Sequence, residues 1–220
     1  MGHASVKAYK GLGMEGFVAR WYATTTRKDL KEHQILARRV ADELPAGAQV
    51  LEVAPGPGYF AVELARLGRD VTALDISHTF VEMARRNAAE AGVKVDFEQG
   101  NASNMPFASE SFDFLLCRAA FKNFSEPVKA LQEMHRVLRP GGKALIIDLR
   151  RDAPQEAINQ YVDDLKLGWA SALNVKLAFR FMLLKRAYTR SGFERMISQT
   201  PFGKFEIRED LIGMEITLKR

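Results

Sequence analysis

Hydrophobic and polar positions follow two repeating patterns along the middle of the chain. Short apolar runs such as QVLEVA, DVTALD, FDFLLCR and KALIIDL predict β-strands, whereas the segments between them space their apolar residues three and four positions apart, as amphipathic helices do. Strands that alternate with helices indicate a parallel sheet whose crossover connections are right-handed. We therefore predict an α/β fold with a doubly wound, mostly parallel sheet.

The two ends of the chain have different patterns. Residues 29–44 predict an amphipathic helix that stops before Pro45, and residues 154–186 predict long helical segments. The stretches KFEIRED and GMEITLKR predict a β-hairpin, which adds an antiparallel C-terminal strand to the sheet. We interpret the chain as one domain with four parts: an N-terminal helical cap at 14–44, a core at 45–150, a helical insert at 151–187, and a final helix and hairpin at 188–220.

Composition narrows the class of protein. The 220 residues are 47% hydrophobic and 27% charged, which is typical of a globular chain. Cys117 is the only cysteine, so intrachain disulfides and zinc sites built from thiolates are excluded, as suits a reducing cytoplasm. No apolar run reaches the ~18 residues that a membrane span needs. We expect a cytoplasmic protein, and one interpretation of residues 1–13 is that they precede a natural start at Met14.

The net charge of +5 is concentrated at the two ends of the chain. Residues 1–44 carry a net charge of +3 and residues 150–220 carry +4, while residues 45–149 between them carry −2. Such basic ends could attract an anionic substrate or a nucleic acid. The basic residues are scattered rather than clustered, so a solvated surface is the interpretation that we favour.

The stretch VLEVAPGPGYF, residues 50–60, contains the strongest functional signal. Gly56 and Gly58 lie between a strand and a helix, where they permit a positive φ and leave room for a ligand against the backbone. The N–H groups that begin the helix face the same region, and ligands bind there in open parallel sheets. A loop that only turns the chain is the alternative, but Pro55 and Pro57 already provide for the turn. We predict that a ligand crosses this loop.

Two kinds of cofactor fit such a loop, a dinucleotide and another cofactor that contains a ribose. Gly56, Gly58 and Ala61 match the dinucleotide pattern G-x-G-x-x-A, which favours a nicotinamide or flavin cofactor. Asp75 ends the next strand and suits the ribose hydroxyls of either kind. Glu52, an acid inside the first strand, is untypical of a dinucleotide-binding domain.

Four motifs in order along the chain favour one family. EVAPGPG, GNASNMPF, FDFLLCRAAFKNF and HRVLRPGGKALIID together resemble the class I S-adenosylmethionine-dependent methyltransferases, in particular the small-molecule group that includes the ubiquinone/menaquinone C-methyltransferases. The resemblance covers about residues 46–150. It implies a Rossmann-like fold with a cofactor-binding core at 45–150 and a helical lid insert at 151–187. It also implies an enzyme that transfers a methyl group from S-adenosyl-L-methionine, by in-line displacement, to a small and partly apolar acceptor.

The resemblance assigns the adenosine part of the cofactor to four positions. Asp75 would bind both ribose hydroxyls, and Ile76 would lie against the adenine. The side-chain oxygen of Asn101 and the N–H of Ala102 would meet the adenine edge. Asn101 stands where the family often has aspartate, which removes a charge from that contact.

Further cofactor contacts follow from the same resemblance. Tyr22 would cap the methionine end, and Cys117 would contact the amino group through its backbone carbonyl while its thiol only packs. Ala54 stands where the family commonly has the first glycine of the loop. The implied cofactor-binding residues are Tyr22, Glu52, Ala54, Gly56, Gly58, Asp75, Ile76, Asn101, Ala102 and Cys117.

Acceptor contacts are expected where the fourth strand ends, in RAAFKNF. Phe121 would form a wall of the methyl-transfer site, and Lys122 and Asn123 are the candidate catalytic residues, which would orient the acceptor. The alternative is that Phe121 belongs to the core and that Lys122 is solvated. Methyl transfer requires a general base only if the acceptor loses a proton, so the lack of an obvious base excludes nothing.

The insert supplies the remaining substrate candidates. Residues 172–186 are apolar on most sides, which predicts that other groups cover them. As part of a lid, Tyr161, Phe179 and Met182 would line an apolar acceptor pocket, with plain core packing as the alternative for Phe179. A homodimer or a membrane-surface contact through the insert would also cover these residues.

Other functional classes stay open. The basic ends allow an RNA or protein methyltransferase, but the Asn-Pro-Pro-Tyr type of motif is missing, so we do not expect a nucleic-acid partner. A nicotinamide-dependent reductase and a non-catalytic cofactor-binding protein are alternatives from different classes. The histidines His33, His78 and His135 stand alone in the sequence, so no metal site is predicted.

Overall fold

A central β-sheet organises the protein, whose computed structural model describes residues 9–10, 13–26, 30–166 and 168–220. Within these residues, the side chains of Trp21, Thr25, Thr26, Ala170, Ala178, Arg180 and Met182 are not described. The seven strands are β1 Gln49–Val53, β2 Asp70–Asp75, β3 Asp96–Gln99, β4 Phe112–Arg118, β5 Leu138–Leu149, β6 Lys204–Glu209 and β7 Gly213–Lys219. They lie in the order β3-β2-β1-β4-β5-β7-β6.

The directions of the strands confirm the predicted fold class. Strands β1 to β5 run parallel to one another, and β7 runs antiparallel to both β5 and β6. The chain leaves β1 toward β3 on one side and returns to β4 on the other, so the strand order reverses between β1 and β4. In such Rossmann-like sheets, ligands bind beside the carboxyl ends of the strands at this reversal.

Helices cover both faces of the sheet. They are α1 Gly16–Thr26, α2 Leu30–Glu43, α3 Tyr59–Arg66, α4 His78–Glu90, α5 Pro127–Val137, α6 Gln155–Asp164, α7 Trp169–Ala178, α8 Leu184–Arg186 and α9 Arg190–Ile197. A π-helical turn, Phe179–Leu183, joins α7 to α8. Ser77 caps α4, because its hydroxyl accepts a hydrogen bond from the Phe80 N–H at 3.1 Å.

The alternation of side chains along β4 separates two apolar layers. Phe114 and Leu116 pack in the layer formed with α2, α3 and α4, whereas Leu115 and Cys117 pack in the layer formed with α5 and α9. Successive residues of a strand face opposite sides of the sheet, so a strand buried on both faces is apolar at nearly every position. This explains the continuous run FDFLLC.

The bounds of β3 and β5 differ from the apolar runs that these strands contain. Strand β3 includes only Asp96–Gln99, and Val93 and Val95 pack against the core without joining the ladder. Strand β5 begins at Leu138, so it includes the segment RPGG that precedes the predicted strand KALIIDL. The register between β4 and β5 shifts there, as at a β-bulge, and Gly141 lies within the bulged segment with a φ of 81°.

The insert between β5 and α9 forms a small helical layer of its own. Helices α6 and α7 enclose Ile158, Val162 and Phe179, and the edge of this cluster contacts Leu149 and Ile212 of the main domain. Gly168 precedes α7, so the predicted helical region 154–186 contains two separate helices before the π-helical turn. Within the described part of the chain, every helix is too short or too polar to cross a bilayer.

Candidate functional site

Three buried acids stand at or near the carboxyl ends of parallel strands. Glu52 lies in β1, Asp75 ends β2 and Asp148 lies one residue before the end of β5. All three side chains are almost fully removed from solvent. Burial of a carboxyl group is costly unless hydrogen bonds or a counter-charge compensate it, so the partners of each acid indicate what it does.

Asp75 is bound to the glycine-rich loop. Its Oδ2 accepts a hydrogen bond from the Gly56 N–H at 3.0 Å, and its Oδ1 accepts one from the Ser77 N–H at 2.9 Å. Burial raises the pKa of this carboxyl group from 3.8 to about 6, although the hydrogen bonds from Ser77 and Gly56 oppose that rise. The Ile76 N–H also lowers this pKa by hydrogen bonding, so of the four lone pairs of the carboxylate at least one remains for a further donor. Ile76, the next residue, exposes its apolar side chain.

The two glycines of the loop have different roles. Both have a positive φ, 56° at Gly56 and 77° at Gly58. A Cβ atom on Gly58 would lie 2.8 Å from the Ala84 Cβ and 3.2 Å from the Phe97 ring, so this glycine lets the loop pack against α4. Among the described residues, a Cβ atom on Gly56 would come within 4 Å of Tyr22 alone, whose Cε1 is 3.9 Å away. The space for a ligand therefore lies over Gly56 rather than over Gly58.

Ala54 also adopts a left-handed conformation. Its φ is 58°, where a residue with a Cβ atom is strained, and its N–H donates to the Leu74 carbonyl at 2.7 Å. This geometry would suit a glycine better than an alanine.

Glu52 is the acid with the least compensation. Its Oε2 has no hydrogen-bond partner among the described residues, and burial raises the pKa of the carboxyl group to about 8. The positive charge of Arg118 opposes this rise. Arg118 itself donates to Glu32 at 2.7 Å and lies 3.3 Å from the Nε2 atom of His33. Together with desolvation, its charge lowers the pKa of His33 to about 4.

The loop after β3 contains the two predicted adenine contacts. The Oδ1 atom of Asn101 accepts a hydrogen bond from the Ser103 N–H at 2.9 Å, so one of its lone pairs is already used. Among the described residues, the N–H of Ala102 has no acceptor. The second lone pair of Asn101 and the N–H of Ala102 form the acceptor and donor that an adenine edge requires.

A buried ion pair holds the exit of β4. The Nζ atom of Lys122 donates to Asp148 Oδ1 at 2.8 Å and to the Ala119 carbonyl at 2.6 Å, and the Lys122 N–H donates to Asp148 Oδ2 at 2.8 Å. The interpretation of Lys122 as a solvated residue is therefore wrong. Asp148 was missed in the sequence, although an acid at the end of the apolar run ALII repeats the pattern of Glu52 and Asp75.

The neighbouring aromatic residues form a packed cluster. Phe121 is fully buried, and its ring centroid lies 5.1 Å from that of Phe193 and 5.3 Å from that of Phe124. This burial agrees with the alternative interpretation, in which Phe121 belongs to the core. The role of Phe121 as a wall of the methyl-transfer site stays a prediction. Asn123 is also buried, and its backbone carbonyl accepts a hydrogen bond from the Lys10 N–H at 2.7 Å.

Tyr9 and Lys10 belong to the site, although the sequence suggested no role for residues before Met14. Tyr9 pairs with Phe124 in an antiparallel bridge, and the Lys10 ammonium donates to the Tyr188 hydroxyl at 2.8 Å. Burial raises the pKa of the Tyr9 phenol, Arg186 opposes this rise, and Asp75 and Asp148 add to it. The phenol therefore lies within the electrostatic influence of both acids.

Cys117 behaves as a packing residue. Its side chain is fully buried, and burial raises the pKa of the thiol well above its usual value, so the reactive thiolate is suppressed.

The residues predicted for the lid are only partly brought together. The rings of Tyr161 and Phe179 meet edge to face with centroids 5.7 Å apart. Phe179 is buried in the insert's own cluster, which is the packing alternative, while Tyr161 is half-buried at its edge. Met182 has its side chain outside the described set, and the lid role stays a prediction.

Comparison with known proteins agrees with this arrangement. Residues 51–146 match the sequence model of a family described as a methyltransferase domain. The chain is 39% identical over 113 residues to a demethylmenaquinone methyltransferase from Renibacterium salmoninarum, which is 50% of this chain and 46% of that protein. It is 38% identical over 105 residues to the ubiquinone/menaquinone biosynthesis C-methyltransferase UbiE from Bdellovibrio bacteriovorus, which is 47% of this chain and 45% of that protein. The matched region thus spans about half the length of these relatives.

The fold extends the similarity beyond the matched region. The structure of a proposed S-adenosyl-L-methionine-dependent methyltransferase from Methanococcus maripaludis aligns with a TM-score of 0.77 at 18% identity, over 96% of this chain and 95% of that one. At this level of identity, the likeness concerns the fold. The family match over residues 51–146, the strand order and the order of the motifs agree that this part of the chain is similar to the class I S-adenosylmethionine-dependent methyltransferases.

Proposed function

We propose that this protein transfers the methyl group of S-adenosyl-L-methionine to a small, partly apolar acceptor by in-line displacement. The observation that carries the proposal is the bond between Asp75 and the Gly56 N–H, which aligns an acid with a free lone pair beside a loop that is open over Gly56. The two hydroxyls of a ribose donate hydrogen bonds to such an acid. The methionine part of the cofactor, which is attached to the ribose, requires open space beside the loop.

The residues present fit this cofactor. Asp75 would accept hydrogen bonds from the ribose hydroxyls, and the exposed Ile76 would cover one face of the adenine. Asn101 and Ala102 offer an acceptor and a donor to the adenine edge. Tyr22, whose ring lies next to the open side of Gly56, would cover the methionine part.

The cofactor, when bound, supplies an activated methyl group on a sulfonium. The protein then has to align an acceptor atom with the methyl carbon, and alignment of this kind contributes as much as ~7–11 kcal/mol to catalysis. Rigid packing below the acceptor favours such alignment. The buried aromatic cluster around Phe121 and the ion pair of Lys122 with Asp148 provide rigid packing at the exit of β4.

The class of acceptor is inferred from the relatives and from Lys122. Two relatives are named for quinone biosynthesis, and a reduced quinone is an aromatic ring with phenolic oxygens. Among the described residues, two of the three Nζ hydrogens of Lys122 have acceptors, so the third is available to an electron-rich oxygen. We therefore favour a phenolic or enolic acceptor that donates electron density from carbon or oxygen.

The test combines binding with transfer. Calorimetry should detect binding of S-adenosylhomocysteine but not of NADH, and Asp75→Ala should weaken it by about 10- to 150-fold, the equivalent of ~1.5–3 kcal/mol. Methyl-labelled cofactor should then label phenolic acceptors from a small-molecule extract, and the double variant Lys122→Met, Asp148→Leu, which leaves no buried charge, should reduce labelling without changing cofactor affinity. Binding of NADH in preference to S-adenosylhomocysteine would refute the proposal, and so would labelling confined to RNA or protein.

A further inference from the structure

Helix α7 exposes large apolar side chains along one side. Trp169, Leu173 and Leu177 follow one another at intervals of four residues, and Phe181 continues the interval into the π-helical turn. Their exposed fractions are 84%, 52%, 43% and 56%, respectively. Residues four apart lie on the same side of a helix, so these four residues form one continuous surface, which we call the apolar stripe.

The helical segment packs against the rest of the insert through residues outside the apolar stripe. The other side of the helical segment contributes Ala172, Val175 and Phe179 to the cluster that also contains Ile158 and Val162. A helix on the surface of a soluble domain usually pairs a packed apolar side with a polar one. Helix α7 is apolar on both sides, which is typical of a helix that has a second contact.

Basic residues predominate in the stretch that contains the apolar stripe, although the acids Asp163 and Asp164 of α6 directly precede it. From residue 165 to residue 193 the chain has no acidic residue, but it has six basic ones: Lys166, Lys176, Arg180, Lys185, Arg186 and Arg190. Lys176 is paired with Asp163 of α6, and Arg190 contacts Glu194 and Glu209, both outside this stretch. The Lys185 ammonium lies 5.7 Å from the centre of the Phe181 ring, so a positive charge borders the stripe directly.

We propose that the apolar stripe rests on the surface of a membrane that contains anionic lipids. Helices that bind in the plane of a membrane combine exposed Trp, Phe and Leu side chains with flanking lysines and arginines, as this segment does. The ammonium groups of Lys166 and Lys185 would reach the lipid phosphates, while the rings and leucines enter the boundary of the acyl region.

Charge decides between a membrane and a second copy of the chain. In a symmetric dimer, two stretches that each lack acids would bring their basic residues together, and like charges oppose such an association. An anionic lipid surface supplies the opposite charge over the whole stripe. The inference does not depend on methyl transfer, because binding to lipid can be measured without any acceptor.

Flotation of the full chain with lipid vesicles tests the proposal. The protein should float with vesicles of phosphatidylcholine mixed with phosphatidylglycerol, float far less with phosphatidylcholine alone, and be released by added salt. Trp21 and Trp169 are the only tryptophans, so a Trp21→Phe background isolates Trp169. Its fluorescence should shift to shorter wavelength on the anionic vesicles, as the exposed indole leaves water.

Substitutions separate the stripe from the rest of the surface. Trp169→Ser and Leu173→Ser should each reduce partitioning about tenfold or more, and Lys185→Gln should reduce it about fivefold, the equivalent of ~1 kcal/mol for one charge near the lipid. Ile35→Ser is the matched control, because Ile35 is 69% exposed on α2, outside the stripe. Circular dichroism should show all four variants folded.

Three results would overturn the proposal. The first is equal flotation of Trp169→Ser and Ile35→Ser. The second is binding that does not depend on anionic lipid. The third is a dimer in solution that Trp169→Ser dissociates while vesicle binding is absent, since the stripe would then contact a second copy of the chain.

Discussion

Lys122 and Asp148 form an ion pair that ties the exit of β4 to the end of β5. The two residues are 26 positions apart, their charged atoms lie 2.8 Å from each other, and their side chains are only 6% and 1% exposed. The backbone N–H of Lys122 donates to the same carboxylate. The pair therefore fixes the position of the segment that carries Phe121 and Asn123.

Removal of one partner of this pair should be costly. Asp148→Ala leaves the Lys122 ammonium buried without its counter-charge, so we expect the free energy of unfolding to fall by ~3–5 kcal/mol in urea denaturation. The double variant Lys122→Met, Asp148→Leu should lose less than Asp148→Ala, because it leaves no buried charge. A loss below ~1 kcal/mol for Asp148→Ala would contradict the burial of the pair.

Cofactor affinity should depend on the ionisation of Asp75. Ribose hydroxyls donate hydrogen bonds, so they favour the ionised carboxylate, and the pKa of Asp75 before binding is about 6. Affinity measured by calorimetry should therefore fall as pH decreases through about 6. Asp75→Asn should remove this dependence, whereas Asp70→Asn, at the other end of β2, should retain it. An unchanged profile in Asp75→Asn would exclude Asp75 as the titrating group.

Replacement of Asp75 should also destabilise the protein. Asp75→Ala removes the acceptor for the N–H groups of Gly56 and Ser77, and we expect a loss of ~1–3 kcal/mol where these groups stay buried. Urea denaturation without cofactor measures this loss separately from binding. An unchanged midpoint would mean that water replaces both bonds.

Glu52→Gln should stabilise the protein at neutral and basic pH. The folded pKa of Glu52, about 8, lies above its ordinary value of 4.5, so the folded state holds a proton that the unfolded state releases. Stability from this group is therefore complete below pH 4.5 and is lost as pH rises toward 8. The neutral amide avoids this loss, and we expect a gain of ~1–3 kcal/mol at pH 8 but none at pH 4.5. Melting of both proteins by calorimetry from pH 4.5 to pH 8 measures this difference. A Glu52→Gln variant that is less stable than the unsubstituted protein at pH 8 would contradict the prediction.

Alanine at the two loop glycines should have different effects. Both positions have a positive φ, which costs a residue with a Cβ atom ~1–2 kcal/mol. Gly58→Ala adds a collision with Ala84 and should unfold at clearly lower temperature, and Gly58→Val should do so at still lower temperature. Gly56→Ala should lose affinity for S-adenosylhomocysteine with the smaller loss of stability. Equal melting temperatures for the two alanine variants would exclude the packing role of Gly58.

The lid role of the insert is tested by a pair of truncations. Phe179→Ala removes a ring from the cluster around Ile158 and should cost ~3–5 kcal/mol in unfolding free energy. Tyr161→Ala, at the half-buried edge, should cost less. If the insert covers the acceptor, Tyr161→Ala should lower acceptor turnover at unchanged cofactor affinity. A loss of stability alone, with normal turnover, would mean that the insert only packs.

Much of the fold is determined by local sequence. The bounds of β4 follow from the run FDFLLCR, and the start of α4 follows from the hydroxyl of Ser77, because apolar spacing and helix capping act over a few residues. The position of Asp75 at the end of β2, beside a glycine-rich loop, also follows from the order of the motifs. These local signals predict the sheet, the family and the cofactor.

The tertiary structure decided what depends on residues far apart in the chain. Only the packing of α4 against the loop shows that a side chain at position 58 would collide with Ala84. Only the pairing of β4 with β5 brings Asp148 next to Lys122. The bridge to Phe124 likewise brings Tyr9 to the site. Periodicity states which side of an element is apolar, but not which element covers it, because burial depends on the placement of all the others. For that reason the exposure of Trp169 on α7 became visible only in the folded chain.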